Sequence, residues 1–397
     1  MNDAASPSIA RQASLRAVFE TMLANGPVSR AELSRLTGLS KQTASDVVRQ
    51  LESAGLIRLL GRTQGPVGRS ATTYALRMDG AFVLGVDLGG TKVQVALADL
   101  VGGIVGDATQ ETDHRGGAHV LGQIKTMMLD VATRAGVDPG AVRYGAIGSP
   151  GVFQADTGRI ELAPNIPGLD TLNVARALVD TLGFPVVIEN DVNMAALGEW
   201  RHGCGNGTED LVFLALGTGI GMGIIAGGRL LRGAKGAAGE IAYLPLGGDP
   251  FDARGHRLGT LEAAIGGAAI IDRFRAGGGA VDADVRAIFD RAGARDSVAS
   301  ATVDEIARLL AQAIVATQAI LDPSLVVLGG SIGARGELMD RVVELSARAM
   351  AAPPVLKTSV LGGQAALFGA ISVSVQSLHA TLFGSNGASA GGSAVAG

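Results

Sequence analysis

Residues 84–97, LGVDLGGTKVQVAL, constrain this chain more than any other stretch. An apolar run ends on Asp87, two glycines and Thr91 turn the chain, and alternating apolar residues lead away again. That pattern predicts a strand, a tight turn and a second strand. Glycines let backbone N–H groups approach an anion closely, and a threonine hydroxyl adds a donor. Asp87 can hold a metal-bound phosphate or water from beneath. Residues 214–226, LALGTGIGMGIIA, repeat the design. Gly89, Gly90 and Thr91 of the first turn, and Gly217, Thr218 and Gly219 of the second, are therefore candidates for contacting nucleotide phosphates. Two such hairpins predict a duplicated α/β fold whose halves close over a nucleotide and a second ligand. A glycine turn alone is more often only a hairpin, so the residues between the two must decide.

At 397 residues the chain has material for two or three domains. With 47% apolar and 18% charged residues it has the composition of a globular protein, and no apolar run reaches the roughly 18 residues of a membrane span. The opening MNDAASPSIARQ has no signal-peptide pattern, and the single cysteine, Cys204, excludes an internal disulfide or a site of several thiolates. A cytoplasmic location is the default expectation. The formal net charge of −4 is unevenly spread: residues 1–80 hold ten Lys or Arg against six Asp or Glu, while the remainder holds 23 against 31. A basic head on an acidic body suits a protein in which only the head meets nucleic acid, although the excess is within ordinary scatter.

The head, residues 1–80, reads as a winged helix-turn-helix. Leu15, Val18, Phe19 and Leu23 recur at helical spacing and predict a first helix over residues 10–23, ending near Asn25 and Gly26. Ser29 then stands before RAELSRLTG, with Glu32 three residues on, which is a capping box. Gly38 supplies the turn and Ser40 caps KQTASDVVRQLESAG, whose apolar stripe is Ala44, Val47, Val48 and Leu51. The opposite face presents Gln42, Ser45, Asp46 and Arg49, flanked by Lys41 and Thr43. Gln and Arg make paired hydrogen bonds to base edges, while Ser40, Thr43, Ser45 and Lys41 suit phosphates. Residues 56–76 predict a strand, a tip and a return strand, a wing whose Arg62 and Arg69 would reach the backbone or a minor groove. Small three-helix domains also serve as protein docking modules. As a DNA reader the head calls for a homo-oligomer, dimer or tetramer, on a roughly palindromic operator of double-stranded DNA. Residues 77–81 are a short connector.

Between and beyond the hairpins stand PGVFQADTGRIELAPNIPG from Pro150, IENDVNMAALGE from Ile188, GAAGEIAYLPL from Gly236 and VVLGGSIG from Val326. In order and spacing these motifs resemble the ROK family of sugar kinases and sugar-responsive repressors, over residues 82–383. The resemblance implies an actin-like, hexokinase-like α/β fold of two lobes, roughly 81–190 and 191–384. Residues 385–397, within GSNGASAGGSAVAG, have the composition of a disordered tail. Members with an N-terminal winged helix are regulators, whose wing often carries Gly-Arg-Pro; here Ser70 follows Gly68 and Arg69. The resemblance places the sugar at Gly151, Asn165, Asn190, Asp191, Glu240, Tyr243 and Glu262. In the kinases Asp191 would be the base that takes the proton of the attacking sugar hydroxyl. On chemistry alone, Asn190 and Asp191 before a helix are also simply a good cap.

The chain departs from the family in its second half. The motif Glu-x-Gly-His reads Glu240, Ile241, Ala242, Tyr243, and Ala253, Gly255 and Thr260 stand where three cysteines are expected. With those four ligands gone, no zinc is expected and the loop 249–260 must be held otherwise or be mobile. His256 beside Arg254 and Arg257 suits solvent better than a metal. Tyr243 would alter the pocket, where its phenol can donate or its ring can stack on a sugar face. The reading is a sugar-responsive transcriptional regulator, a repressor of carbohydrate genes, without a cofactor. The alternative is a sugar kinase using ATP and magnesium at Asp191, and a third reading is a DNA-bound scaffold for a partner protein. No membrane partner is expected.

Overall fold

A computed structural model of the chain describes residues 9–64, 70–161 and 166–383. Arg69 and Asn165, and the tail 385–397, lie outside the described residues, as does the side chain of Arg62. The head has three helices, Ile9–Asn25, Arg30–Thr37 and Lys41–Ser53, and a three-stranded sheet. Ser29 and Glu32 form the reciprocal capping box read from the sequence, Glu32 bonding back to Ser29 N at 3.0 Å. The wing strands Ile57–Gln64 and Ser70–Leu76 pair antiparallel, and Val28–Ser29 adds a short third strand beside the latter. In the first helix Met22, not Leu23, completes the buried stripe: Met22 is 2% exposed and Leu23 46%. The buried stripe is therefore Leu15, Val18, Phe19 and Met22, which packs with residues of both the head and the body.

Each lobe is built on a five-stranded sheet of the same plan. In the first, Phe82–Leu88, Lys92–Ala98 and Ile104–Glu111 form an antiparallel meander, and Val142–Ser149 and Val186–Asn190 add parallel to its other side. In the second, Leu211–Leu216, Ile220–Ala226 and Arg229–Leu230 form the meander, and Leu325–Gly329 and Val355–Thr358 add in parallel. The inner strands are apolar almost throughout because helices cover both faces, whereas the edge strand Ile104–Glu111 is mostly exposed. Parallel strands deliver their C-terminal ends to one side of each sheet, so Asp87, Asn190 and the glycine turns converge there.

The long helix Ala365–Phe383 departs from a simple division of the chain at residue 190. It returns to the first sheet, where Ser374 Oγ donates to the Leu84 carbonyl at 2.7 Å in a buried setting. It also lies against the helix Asp191–His202. A Cβ at Gly198 would stand 2.0 Å from the Ala365 carbonyl oxygen, and one at Gly369 would stand 1.8 Å from that of Met194, so only glycine permits this approach. Residues 362–383 are long and apolar enough to cross a membrane, with a mean hydropathy of 1.4, yet here the apolarity faces protein on several sides.

One apolar cluster runs from Val18 and Phe19 of the head through Leu367, Ile371 and Leu378 to Val83 of the first sheet and Phe213 of the second. At the head, Phe19 meets His379 and Phe383 with ring centroids 5.0 and 4.7 Å apart. His379 Nε2 donates to the Leu100 carbonyl at 2.8 Å, and burial holds its imidazole below its ordinary pKa. The connector is bonded on both sides, from Arg77 N to Leu56 O and from Leu100 N to Met78 O. Three further elements complete the second lobe. Residues 261–276 form two helices broken at Gly266, residues 333–350 begin as a separate turn at Gly330–Gly333, and Val285–Gly293 is a further helix. Glycine breaks or starts the first two runs, at Gly266 and Gly330, while Asp284 caps the third through a bond from Ala287 N.

Candidate functional site

The two lobes face each other across a cleft of about 360 Å³, within the range of small-molecule sites. Gly90 of the first hairpin, Gly217, Thr218 and Gly219 of the second, and Gly330 form much of its wall. Gly151, Asn190 and Asp191 come from the first lobe and its junction, and Glu240 and Glu262 come from the second. The sequence-predicted residues Gly151, Asn190, Asp191, Glu240 and Glu262 are thus brought together from distant segments.

The local chemistry fixes several of these groups. Asn190 caps the helix Asp191–His202: its Oδ1 accepts from Val192 N and Asn193 N, at 3.0 and 3.1 Å. Its Nδ2 donates to the Gly151 carbonyl at 3.1 Å, tying the cap to the neighbouring loop. The cap reading and the site reading are therefore both realised by one side chain, which keeps one amide hydrogen beyond these bonds. Asp191 Oδ1 accepts from its neighbour Val192 N at 2.8 Å. Glu262 Oε2 accepts from Ile220 N at 3.1 Å and so braces the second glycine hairpin.

Three carboxyl groups, Asp191, Glu240 and Glu262, line this cleft, and Asp87 lies close to Asp191 beside it. Burial, followed by the nearby charge of Asp191, pushes Asp87 up to about 7 against the opposing pull of Lys92. Burial also raises Asp191, against the Val192 N–H. Glu240 is raised by burial and then by Glu262 and Asp191, and Glu262 by burial against the Ile220 N–H. Carboxylates so placed accept hydrogen bonds from hydroxyl groups, and their protonated forms donate, so a polyhydroxylated ligand satisfies them in either state.

The remaining residues separate. Asp87 ends its strand beneath the turn, while Gly89 and Thr91 shape it: Gly89 N bonds Lys92 O, and the Gly89 and Thr91 carbonyls accept from Thr112. Tyr243 does not line the cleft. It sits in a 3-10 turn with 46% exposure, because Ile241 and Ala242 take the buried positions there. The expectation that Tyr243 reshapes the pocket is therefore replaced by a surface tyrosine. The loop 249–260 is neither bare nor irregular: Asp252 caps a short helix Ala253–Leu258 through a bond from Gly255 N at 2.5 Å, and His256 is exposed. No group of three or more His, Cys, Asp or Glu stands ready for a metal among the described residues. The sequence reading did not name Asn193, which lines the cleft at one helical turn from Asn190 and was findable by that spacing.

In the head, Lys41, Gln42 and Arg49 are exposed along the helix Lys41–Ser53, and Thr43 and Ser45 are partly covered. Ser40 is engaged in capping, accepting from Thr43 N at 3.0 Å. Asp46 bridges the exposed face: Gln42 Nε2 lies 3.1 Å from Oδ2 and Arg49 Nη1 3.1 Å from Oδ1.

Comparison with known proteins agrees with both halves. A MarR-family profile matches residues 16–69, and the ROK family profile matches residues 83–376. A glucokinase of Halalkalibacterium halodurans is 31% identical over 312 residues, 74% of this chain and 94% of that protein. The xylose repressor of Bacillus subtilis is 27% identical over 248 residues, 62% of this chain and 63% of that protein. The crystal structure of a ROK family transcriptional regulator, a homolog of the E. coli Mlc protein, superposes with a TM-score of 0.76. It covers 95% of this chain and 98% of its own at 23% identity, a likeness of fold. By its two-lobed body and that profile match, this chain belongs to the ROK family and carries a MarR-like winged helix at its N-terminal end.

Proposed function

We propose that this chain is a sugar-responsive transcriptional repressor whose head binds operator DNA and whose cleft binds a carbohydrate. The observation that carries this reading is the aromatic seam of Phe19 with His379 and Phe383, which packs the winged-helix head against the body that holds a cleft lined with hydroxyl-reading groups. A sugar bound across the cleft favours one lobe angle, and in a homodimer that shift of population changes the spacing of the two heads. Ser40, Lys41, Gln42, Thr43, Ser45 and Arg49 are the DNA-facing set, joined by Arg62 and Arg69 of the wing. Gly151, Asn190, Asp191, Glu240 and Glu262 are the sugar-facing set, and Asn165 belongs with them by its place in the sequence. A cytoplasmic homodimer on a palindromic site fits this reading.

The test is thermal unfolding of the full chain against a panel of mono- and disaccharides, with and without ATP and magnesium. A ligand at about 100 times its Kd adds roughly 2.7 kcal/mol, a readily measured shift in Tm. The expected result is a response to one sugar class without any ATP effect, and the same sugar then changes binding to a selected operator. DNA binding indifferent to every sugar would turn the reading into a DNA-bound scaffold for a protein partner.

A second reading, sugar kinase, has a specific observation in its favour. Gly90, Thr218, Gly219 and Gly330 wall the same cleft that holds Asp191, and Asp87 lies beside it. These bare turns suit a nucleotide's phosphates, Asp87 would hold their magnesium, and ATP bound there would supply the phosphoryl group. Asp191 would then take the proton of the sugar hydroxyl. A coupled ADP-release assay over the same sugars separates the readings, since turnover supports the kinase and its absence with retained sugar binding supports the regulator.

A further inference from the structure

An ion pair joins the two lobes beside the cleft. Arg232 Nε donates to Glu189 Oε2 at 2.6 Å, with side-chain exposures of only 28% and 11%. Glu189 belongs to the strand Val186–Asn190 of the first sheet, and Arg232 follows Arg229–Leu230 of the second. Other ion pairs, such as Arg335 with Asp290 or Arg176 with Asp180, lie within a single lobe.

Both partners are bonded into the cleft's polar groups although neither lines the cleft itself. Glu189 Oε1 accepts from Asn190 N and from Asn193 Nδ2, each at 3.0 Å. The Arg232 carbonyl accepts from Ala238 N at 2.9 Å, closing a loop that continues into Gly239 and Glu240. The same loop rests on the first lobe, since a Cβ at Gly236 would stand 3.5 Å from Val152 Cγ1. Asn193 is 2% exposed and its Oδ1 has no hydrogen-bond partner among the described residues, so the bond from its Nδ2 to Glu189 orients that amide.

We propose that Arg232 and Glu189 are positioning residues of the sugar site. Their pair holds the Glu240 loop of the second lobe at a fixed distance from Asn190, Asp191 and Asn193, so the cleft closes with its hydroxyl-reading groups in register. Removing either partner of a pair withdrawn this far from water leaves the other charge uncompensated. The proposal rests on the cleft being the sugar site, but the closure it describes is measurable without any sugar.

The experiment compares the full-length protein with Arg232→Met, Glu189→Gln and the double reversal Arg232→Glu with Glu189→Arg. Small-angle scattering of the free proteins reads the lobe angle. Each single change is expected to raise the radius of gyration, and the reversal to return it toward the parent. Titration with D-glucose and D-xylose reads the site. The single changes are expected to weaken whichever sugar binds by on the order of tenfold, with part of the loss recovered in the reversal. If Arg232→Met does not fold, Arg232→Lys replaces it and is expected to fall between parent and Glu189→Gln. Unchanged scattering in the single variants overturns the latch. An enlarged radius with parental sugar affinity overturns the positioning role. If the parent binds neither sugar, the choice of sugar fails while scattering still decides the latch.

Discussion

The DNA-facing helix and the sugar cleft are assembled in opposite ways. In the head, Lys41, Gln42, Ser45 and Arg49 follow one another along a single helix, and their exposure is set by the buried stripe Ala44, Val47, Val48 and Leu51 on the other side. In the body, Gly90, Asn190, Gly219, Glu240 and Glu262 meet only because two sheets of the same plan turn their strand ends toward each other. A helix face is a local object that survives most changes elsewhere, whereas the cleft depends on long-range pairing and on the angle between lobes. Damage to the first should be confined to DNA binding, and damage to the second should reach only the sugar response.

The sharpest break is at Glu240. Glu240→Ala should abolish the effect of sugar on operator binding while leaving affinity for DNA in its absence unchanged, read by fluorescence anisotropy with and without the sugar. A variant that still responds would remove Glu240 from the site. Phe19→Ala attacks the joint between the two regions: truncating a buried phenylalanine costs about 3–5 kcal/mol, and the head should melt ahead of the body in calorimetry. A single coincident transition at the parental Tm would show the seam to be energetically idle.

Arg49→Ala should cost about 1–3 kcal/mol in operator binding and relax selectivity at one base position, with the body's melting unaltered. Equal affinity for a selected operator would displace Arg49 from the reading face. For the cleft, the sign of the pH effect is fixed by Asp87, whose pKa rises from 3.8 unfolded to about 7 folded. The folded state then binds the proton more tightly, so this stabilisation is fully present below pH 3.8 and is lost as pH rises through about 7. Asp87→Asn should flatten that slope and gain stability over the parent as pH is raised from 5 to 8 in a series of melts, and a parallel pair of curves would contradict it. The smallest effect is expected from Ser29→Ala, which removes half of the capping box at a cost of about 1 kcal/mol, confined to the head.

The same contrast governs what was legible. The capping box at Ser29 and Glu32 and the recognition helix at Ser40 were readable because the cues lie within a turn or two of one another. The hairpins at Gly89 and Gly217 were readable from alternation and glycine. The cleft residues Asn190, Asp191, Glu240 and Glu262 were reached through the resemblance of their motifs, since nothing local says that they meet. Tyr243 shows the limit: a motif position suggested a pocket residue, but burial of Ile241 and Ala242 rotated it outward. Arg232 carried no sequence signal at all, because its partner Glu189 is distant in the chain and on the other lobe.

By itself, then, the sequence determined the head's helices and caps, the two glycine hairpins and the α/β duplication, since each follows from residue type, short-range spacing or a motif's pattern. The tertiary structure alone decided the return of the helix Ala365–Phe383 to the first sheet, the seam with Phe19, the meeting of Asp191, Glu240 and Glu262 in one cleft and the ion pair between the lobes beside it. These depend on which surfaces exclude water together and how closely backbones approach, as at Gly198 and Gly369, and such contacts join residues that the chain order keeps apart.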